Sequence, residues 1–475
     1  MERQTLLDRL VGPMLRQHPE QSGLMLLSRN LHAFAARALS ARSAGRSLDL
    51  MYYYWMGDLT GGLLGNEILS AADRGVRVRL LLDDINTLGS DSTYAAFDRH
   101  SNIEVRLFNP AKARTSAARR GFETLLRGFT ATRRMHNKAW IADGQLAIVG
   151  GRNIGDAYFA ASQMSNFRDL DLLIVGPAVS QTEAIFDRFW NSAAAIPMDA
   201  FLRSRHADLS KLRKRLNTLA TSSESEPYLR RVADEMHTQG MLAGGRLLHW
   251  TAEARVVSDP PEKAQGGGQS GWLSNVIFPA LNSAAADLEI ISPYFIPGDG
   301  GVERLRALAG SGVTVTILTN SLASTDVAAV HGAYAPYRKP LLEGGVKLFE
   351  LRPTVPREHI SLFGSSSASL HTKAFAVDRK TGFVGSFNFD PRSVSLNTEM
   401  GVIFSDRALT EEICMVFAEL VSSQVSYRLS LVDGQLVWLD EQENQVQTVR
   451  REPEAGIWRR LIATLIGFLP IESQL

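Results

Sequence analysis

An internal duplication constrains the fold of this chain more than any other feature of its sequence. His371 follows His136 by 235 residues, and Asn388 follows Asn153 by the same interval. Ahead of the histidine in each copy, strand-like apolar runs alternate with helical stretches, which is typical of α/β layers around a buried sheet. Two copies are too few for a solenoid. We therefore predict an α/β fold of two fused α/β/α sandwich lobes, related by a pseudo-two-fold axis, with mixed, mostly parallel sheets and one site on the shared axis.

The two copies have the same order of predicted elements. The first has strands at 48–55, 75–84 and 103–108 and a helix at 62–74, and the second has strands at 288–295, 312–320 and 346–351 and a helix at 302–309. Shifts in composition divide the chain into five segments. These are an N-terminal helical extension (1–45), a first lobe (46–200), an inter-lobe helix and linker (201–270), a second lobe (271–440) and an amphipathic C-terminal tail (441–475).

Composition limits the classes of protein that fit. The chain has 475 residues, of which 45% are hydrophobic and 21% charged, as in ordinary soluble globular proteins. The net charge of +1 gives no broad attraction to polyanions. We identify no signal peptide and no stretch of the roughly 20 apolar residues that span a bilayer. The single cysteine, Cys414, excludes an internal disulfide and a cysteine zinc site, and it fits a cytoplasmic protein.

Each copy carries a His-x-Lys-x4-Asp motif followed by a Gly-x-x-Asn turn. The candidate residues are His136, Lys138, Asp143 and Asn153 in the first copy and His371, Lys373, Asp378 and Asn388 in the second. Residues two apart on a strand share a face, so each histidine and its lysine point the same way. Gly-x-x-Asn turns at equal spacing make a chance match implausible, and the intact histidines and lysines argue against a catalytically inactive scaffold.

Two facing His-Lys pairs provide what phosphodiester exchange requires. One imidazole attacks phosphorus, and the other transfers protons to and from the exchanging oxygens. The ammonium groups and asparagine amides stabilise charge on the non-bridging oxygens. This chemistry requires no metal, and the sequence contains no cluster of metal ligands, so we expect no cofactor.

These residues resemble the two HKD motifs of the phospholipase D superfamily, and the resemblance covers nearly the whole chain. The segments most similar to bacterial cardiolipin synthases, C-type branch, are 135–138, 149–159, 169–177, 337–343 and 469–475. The resemblance implies phospholipase D-like lobes and a ping-pong mechanism. A phosphatidyl group moves to His136, with His371 as general acid/base, and then to the hydroxyl of phosphatidylglycerol. The near-symmetry of the motifs leaves the order of the histidines open, and the donor is phosphatidylglycerol or phosphatidylethanolamine.

The resemblance also implies supporting residues. An acidic residue behind each histidine orients it, and these are Asp169 in the first copy and Glu399 in the second. Gly151 stands where the second copy has Ser386, so the first half lacks one hydroxyl donor, and we hypothesise that this difference helps to set which histidine attacks. His331 is a candidate for the headgroup pocket, with a surface histidine as the alternative. The motif aspartates are expected to be structural anchors of turns or ion pairs.

Two segments have the composition of membrane-surface helices. The stretch 112–134 combines seven basic residues with four large apolar ones just before the first motif, and 456–470 places a tryptophan and two arginines ahead of an apolar run. The alternatives are a charged loop and a helix packed on a lobe. We expect a peripheral protein on the cytoplasmic face of a bacterial membrane, with an anionic surface as its partner.

Two other functions share these motifs. In a phospholipase D hydrolase, water resolves the phosphohistidine and releases phosphatidic acid, and the sequence does not show whether water is excluded. A nuclease of the same superfamily is disfavoured by the near-neutral charge and the lack of a broad basic stripe with stacking aromatics. We therefore expect no nucleic-acid partner, and the oligomeric state stays open.

Overall fold

The structure, a computed structural model, describes residues 4–87, 90–110, 133–163, 166–200, 207–239, 248–353, 368–442 and 445–467. The first half contains α1 (Leu6–Gln17), β1 (Ser22–Leu27), α2 (Asn30–Ser43), β2 (Ser47–Tyr52), α3 (Leu59–Asp73), β3 (Arg77–Asp83), α4 (Asp91–Phe97), β4 (Ile103–Phe108), β5 (Ala139–Ala142), β6 (Leu146–Gly150), β7 (Asn166–Arg168), β8 (Asp171–Val175), α5 (Pro177–Trp190), β9 (Ala195–Pro197), α6 (Leu209–Ala220), α7 (Glu226–Gln239) and β10 (His249–Thr251).

The second half repeats the pattern and adds a C-terminal hairpin and helix. It contains β11 (Ala254–Ser258), α8 (Ser274–Asn282), β12 (Asp287–Ile291), α9 (Gly298–Gly310), β13 (Thr314–Asn320), α10 (Ala328–Tyr334), α11 (Arg338–Glu343), β14 (Lys347–Leu351), β15 (Ala368–Leu370), β16 (Ala374–Val377), β17 (Thr381–Gly385), α12 (Pro391–Ser395), β18 (Met400–Ser405), α13 (Arg407–Leu420), β19 (Ser426–Val432), β20 (Gln435–Gln442), β21 (Gln445–Val449) and α14 (Ile457–Gly467).

Two large mixed sheets form the two lobes, which confirms the predicted α/β fold. The first sheet has the order β10-β1-β8-β6-β5-β2-β3-β4-β9, and the second β11-β18-β17-β16-β12-β13-β14-β19-β20-β21. The prediction of mostly parallel sheets is wrong. Only β2-β3-β4 and β12-β13-β14 pair in parallel, and the other described neighbours within these two sheets are antiparallel. Short turns such as the one between β5 and β6 permit only antiparallel pairing, whereas the parallel pairs are joined by helical crossovers.

The segment boundaries also differ from those expected. Strand β1 lies between β8 and β10, so residues 1–45 contribute to the first sheet and are not a purely helical extension. A buried strand of six residues has no periodicity that separates it from a short helix. Strands β10 and β11 belong to different sheets, so the chain passes from one lobe to the other within the predicted linker. The second sheet continues through β21, beyond residue 440.

The two lobes share one buried apolar cluster. Val149 and Leu172 of the first sheet belong to the same cluster as Val384 and Val402 of the second. Because β6 and β17 are the strands that follow the two motifs, this contact brings both motifs to the same interface. Among the described helices, none has the length and apolar character needed to cross a bilayer.

Candidate active site

The main chain at each motif histidine is held by the opposite lobe. The His136 N–H donates to Thr398 O at 2.9 Å, and the His371 N–H donates to Arg168 O at 2.9 Å. Strand β15, directly before His371, pairs in parallel with β7 of the first half. Each motif is therefore fixed by backbone contacts across the interface, which brings the two histidines into one site.

Both histidines line a single cavity of about 850 Å³. Asn153 and Asn388 also line it, so the structure brings together both imidazoles and both amides predicted from the sequence. The rest of the lining is mixed and includes aromatic, acidic and apolar side chains and two arginines, Arg231 and Arg392. Those used below are Tyr53, Tyr158, Phe167, Tyr294 and Asp326.

The carboxylates behind the histidines cross between the lobes. Glu399 Oε2 lies 2.8 Å from His136 Nδ1, and Asp169 Oδ2 lies 2.6 Å from His371 Nδ1. The expectation that each acid serves the histidine of its own copy is therefore wrong. Gly150 pairs with Asp171 and Gly385 pairs with Gly401, so Asp169 and Glu399 do occupy equivalent positions. The strand ends that carry them reach across the pseudo-two-fold axis.

Glu399 is held by several donors. Ser386 Oγ donates to its Oε2 at 2.5 Å, and Ser393 Oγ donates to its Oε1 at 2.9 Å. Burial opposes ionisation of this carboxyl, but the positive charge near it and the hydrogen bonds from His136 and Ser386 together hold its pKa below the ordinary value. Glu399 therefore stays anionic and can stabilise an imidazolium on His136.

Asp169 is held differently. Its Oδ1 accepts a hydrogen bond from the backbone N–H of Leu170 at 2.8 Å, and burial raises its pKa above the ordinary value. A Cβ added to Gly151 would overlap Oδ1 of Asp169. The shorter acid thus occupies the space that a serine side chain would need. Where the second half has the Ser386 hydroxyl, the first half therefore uses the backbone N–H of Leu170 as the donor and a shorter acid, Asp169, as the acceptor.

The two imidazoles are buried, and burial favours their neutral form. Burial lowers the pKa of His136 to about 4, and burial together with the motif lysines lowers the pKa of His371 well below its usual range. With Nδ1 of each ring facing a carboxylate, we assign the proton to Nδ1, which leaves Nε2 of the neutral ring as a nucleophile or base. A bound phosphate favours the protonated ring and raises these values.

The motif lysines are also buried beside the site. Lys138 Nζ donates to His136 O at 2.5 Å, and Lys373 Nζ donates to His371 O. Burial lowers the pKa of Lys138 to about 7 and that of Lys373 to about 8. Neither lysine is among the residues that line the cavity, but both lie directly behind the histidines, so an anion bound in the cavity would favour their charged form.

The asparagine amides have capacity left for a ligand. Asn153 Nδ2 donates to Tyr158 OH at 3.0 Å. The buried Oδ1 atoms of Asn153 and Asn388 have no partner among the described residues. Because the oxygen and nitrogen of an amide are interchangeable in assignment, Asn388 can present its NH₂ group to a phosphoryl oxygen.

The motif aspartates lie outside the reacting centre and anchor turns. Asp143 accepts hydrogen bonds from three successive backbone N–H groups, those of Gly45, Arg46 and Ser47. Asp378 does the same for residues 285–287. Each therefore ties the turn after its motif strand to the start of the neighbouring strand, which agrees with the structural role expected for them.

Aromatic rings contact both imidazoles, although none of these aromatics was among the predicted site residues. The Tyr53 ring lies edge-on to His136 with centroids 5.1 Å apart, and Tyr158 and Phe167 lie 5.1 Å and 5.0 Å from His371. Tyr294 OH donates to Asp326, which lies at the rim of the cavity. The run of aromatics at 52–55 was a signal for Tyr53, but its alternating pattern also fits core packing.

His331 does not line the cavity. It is buried under the second sheet, 3.4 Å from Glu452, and its Nε2 contacts Arg338. The Arg338 guanidinium also contacts Glu350 at 2.8 Å and Glu452 at 2.6 Å. The carboxylates and His331 are close enough to suggest metal ligands, but the arginine already lies among them. His331 therefore belongs to a buried ion-pair cluster. This corrects the expectation that His331 lines the headgroup pocket, and it also excludes the alternative of a surface histidine.

The first basic-apolar segment lies mostly outside the described residues. Of the stretch 112–134, the structure describes Arg133 and Arg134. Arg133 Nη1 donates to Lys263 O and Ser395 O, both at 2.9 Å. The proposed helix there stays a prediction.

Comparisons with known proteins agree with this geometry. A family model described as "Cardiolipin synthase, PLD-like domain" matches residues 40–190 and 277–421. Cardiolipin synthase C of Escherichia coli is 39% identical over 472 residues, covering 97% of this chain and 98% of the relative. An uncharacterized protein of Helicobacter pylori is 31% identical over 467 residues, covering 97% and 91%. The crystal structure of phosphatidylserine synthase from Haemophilus influenzae has a similar fold, with a TM-score of 0.59 at 13% identity, covering 97% of this chain and 96% of that one.

The fold and the paired site define a phosphatidyl-transferring enzyme of the phospholipase D superfamily. Within it, the chain belongs to the cardiolipin synthase family of phospholipase D-like proteins, as the family match and the full-length relative show. The resemblance drawn from the paired motifs is confirmed.

Proposed function

We propose that this enzyme makes cardiolipin by transferring a phosphatidyl group through a phosphohistidine to phosphatidylglycerol. The observation that carries the proposal is the pairing of two imidazoles in one cavity, each with Nδ1 held by a carboxylate from the other lobe. This arrangement leaves both Nε2 atoms free for the two roles that double displacement needs.

In the first half-reaction, His136 Nε2 attacks phosphorus as the bond to the leaving headgroup oxygen breaks. His371, protonated when the phosphate is bound, gives its Nε2 proton to that oxygen. Lys138 and Lys373 stabilise charge on the non-bridging oxygens. The products are a phosphatidyl group on His136 and the free headgroup alcohol. The assignment of nucleophile follows the family, and the pseudo-symmetry allows the reverse.

In the second half-reaction, a hydroxyl of phosphatidylglycerol attacks the phosphohistidine. His371 takes the hydroxyl proton as the new P–O bond forms and the P–N bond breaks, which regenerates His136. Water would give phosphatidic acid instead. The aromatic rings of Tyr53, Tyr158 and Phe167 around the two imidazoles support the transferase, because they restrict the access of water to the intermediate.

The cavity rim also argues against a nucleic-acid substrate. Acidic side chains, Asp58, Asp156 and Asp326 among them, outnumber the two arginines of its lining, Arg231 and Arg392, and an excess of acidic side chains repels a polyphosphate backbone. We further propose that the enzyme works peripherally on the cytoplasmic face of a bacterial membrane, since its substrates are lipids. Fractionation with a high-salt wash, and protease protection in inside-out and right-side-out vesicles, test that placement.

The decisive experiment is product identification. The purified enzyme is incubated with labelled phosphatidylglycerol, with and without phosphatidylethanolamine. Cardiolipin is the expected product, and the released alcohol (glycerol or ethanolamine) identifies the donor. Phosphatidic acid as the sole lipid product would establish the hydrolase and reject the transferase. His136→Ala and His371→Ala serve as inactive controls.

A further inference from the structure

The C-terminal helix α14 presents one apolar stripe to solvent. Ile457, Trp458, Leu461 and Leu465 are exposed by 69%, 75%, 48% and 65%. At 100° per residue these four side chains fall within about 100° of the helix circumference. The helix contains no acidic residue. The stripe is therefore a continuous apolar face and not a scatter of single exposed side chains.

The opposite side of α14 is seated on the second lobe. A Cβ added to Gly332 of α10 would lie 2.5 Å from Ala463 O, so the two helix backbones are in direct contact. Arg459 donates to Ala323 O at 3.2 Å and also to Thr325 O. Arg460 donates to Glu452 O at 2.7 Å. The apolar stripe thus faces outward because the polar side of the helix is already satisfied.

The seat of α14 adjoins the catalytic cavity. Thr325, which accepts from Arg459, directly precedes Asp326 at the cavity rim. Ser324, one residue earlier, accepts a hydrogen bond from Ser369 Oγ at 2.9 Å, two residues before His371. The loop 323–326 therefore connects the helix to the entrance through which a lipid headgroup must pass.

Charge beside the stripe favours an anionic partner. Arg450 and Arg451 are exposed just before the helix, and with Arg460 and Glu452 they border a groove of about 530 Å³ next to α14. Over residues 450–460, four arginines outnumber the two acidic residues, so the local charge is positive. A tryptophan-bearing apolar face flanked by arginines suits the boundary between headgroups and acyl chains of an anionic bilayer. A protein partner would also cover apolar surface, but it would not explain why the helix that carries the face is held by the loop at the cavity.

We propose that α14 is the membrane-docking helix of this enzyme. Its stripe enters the acyl boundary of an anionic bilayer, and its seat on the loop 323–326 holds the cavity entrance at the lipid surface. The inference rests on the proposed function only in that the substrates are lipids.

Vesicle flotation tests the stripe. The full chain with Ile457, Trp458, Leu461 and Leu465 all changed to serine is compared with wild type on vesicles of phosphatidylglycerol and phosphatidylcholine. We expect at least a tenfold loss of vesicle affinity. The matched control changes Leu6, Leu10 and Met415 to serine, because these are exposed apolar residues on α1 and α13. Wild-type binding by the quadruple variant, or an equal loss in the control, overturns the proposal.

A second measurement does not depend on how the quadruple variant folds. Brominated acyl chains quench tryptophans that enter the bilayer. Wild type should be quenched on brominated vesicles, and Trp458→Phe should lose most of that quenching while it still floats with vesicles. Equal quenching in both proteins shows that Trp458 stays in water or against a protein, and it rejects the bilayer as occupant.

Turnover of short-chain phosphatidylglycerol below its micelle concentration separates this inference from the proposed function. The quadruple variant should form product from this monomeric substrate at the wild-type rate and lose activity only on vesicles. Loss on both substrates assigns the stripe to catalytic structure and contradicts docking. If wild type itself forms no cardiolipin-type product while the stripe still controls vesicle binding, the docking helix stands and the proposed function fails.

Discussion

Glu399, behind His136, accepts hydrogen bonds from His136, Ser386 and Ser393, whereas Asp169, behind His371, accepts from one side chain and one backbone N–H. Both acids occupy the same position in their sheets. The difference shows that two half-sites built on one plan can reach the same carboxylate-imidazole geometry by different means. A long acid is paired with a serine, and a short acid is paired with a glycine.

The side chains that bind the backbone of the two acids differ as well. The Glu399 N–H donates to Asp259 Oδ2 at 2.9 Å, and the fully buried Lys263 donates to the same oxygen at 2.9 Å. On the other side, Arg152 donates to Asp169 O and lies 3.3 Å from Asp171. An acidic side chain therefore holds the backbone of Glu399, and a basic one holds the backbone of Asp169. The copies are chemically distinct, which is a basis for distinct roles of the histidines.

The largest effect should come from the histidines themselves. His136→Ala and His371→Ala should each lower turnover by on the order of 10⁴-fold or more, as for groups that act as a unit. A phosphatidyl ester of p-nitrophenol separates their roles, because its leaving group needs no proton. His371→Ala should release one equivalent of nitrophenolate and accumulate phosphohistidine, and His136→Ala should release none. The reverse pattern would make His371 the nucleophile.

Removing the charge of each acid tests the crossing of the carboxylates. Glu399→Gln and Asp169→Asn should each cost about 10²–10⁴-fold in kcat, because the imidazole loses its oriented partner. With the nitrophenyl ester, Glu399→Gln should lose the burst like His136→Ala, and Asp169→Asn should keep it like His371→Ala. If Glu399→Gln instead behaved like His371→Ala, and Asp169→Asn like His136→Ala, the crossed pairing would have no role in catalysis.

The glycine-serine exchange tests whether the half-sites compensate. Gly151→Ser should push Asp169 away from His371 and lower kcat/KM by about 10–100-fold, the range expected for 1–3 kcal/mol of overpacking. Ser386→Ala should cost about tenfold or less, because one hydrogen bond to Glu399 is lost.

The double variant Gly151→Ser/Asp169→Glu copies the arrangement of the second half. It should recover part of the activity that each single change loses, which a double-mutant cycle measures. If the effects simply multiply, the two positions are independent and the compensation is refuted. Melting temperatures of all four proteins serve as the control for folding.

The pH profile tests the charged groups of both half-sites together. The lowered pKa values of Lys138 (about 7) and Lys373 (about 8) mean that their positive charge is lost as pH rises through this range. His136, with a pKa of about 4, is neutral above that value. For a monomeric substrate, kcat/KM should therefore rise as pH increases through about 4. Burial also lowers the pKa of His371, whose proton the first step needs, so kcat/KM should begin to fall on the acid side of neutrality and should fall more steeply through pH 7–8 as Lys138 and Lys373 lose their charge.

Two further measurements sharpen this profile. The falling limb of kcat should lie at higher pH than that of kcat/KM, because bound phosphate stabilises the ammonium groups. Lys138→Arg, whose charge does not titrate, should move the falling limb upward even where its maximum rate is lower. A kcat/KM that stays flat to pH 10 would show that the lysines are not the groups that titrate.

The duplication, the paired motifs and the family can all be read from the amino-acid sequence alone. These features depend on spacing along the chain. Lys138 lies two residues after His136, so the two share one face of a strand, and Asp143 lies five residues further on, at the turn that it anchors. Equal intervals in both copies then predicted two similar lobes around one site. The arrangement of strands within each lobe was less predictable, since short turns and buried strands such as β1 leave little periodicity to read.

The pairing of each carboxylate with a histidine and the position of His331 emerge only from the folded chain. Asp169 is nearer to His136 than to His371 along the chain, yet it bonds to His371, because the strand ends cross the axis when the two sheets pack together. The family resemblance suggested His331 for the headgroup pocket, but Arg338 and Glu452 hold it in an ion-pair cluster away from the cavity. Both outcomes depend on contacts between distant segments, which spacing along the chain does not encode.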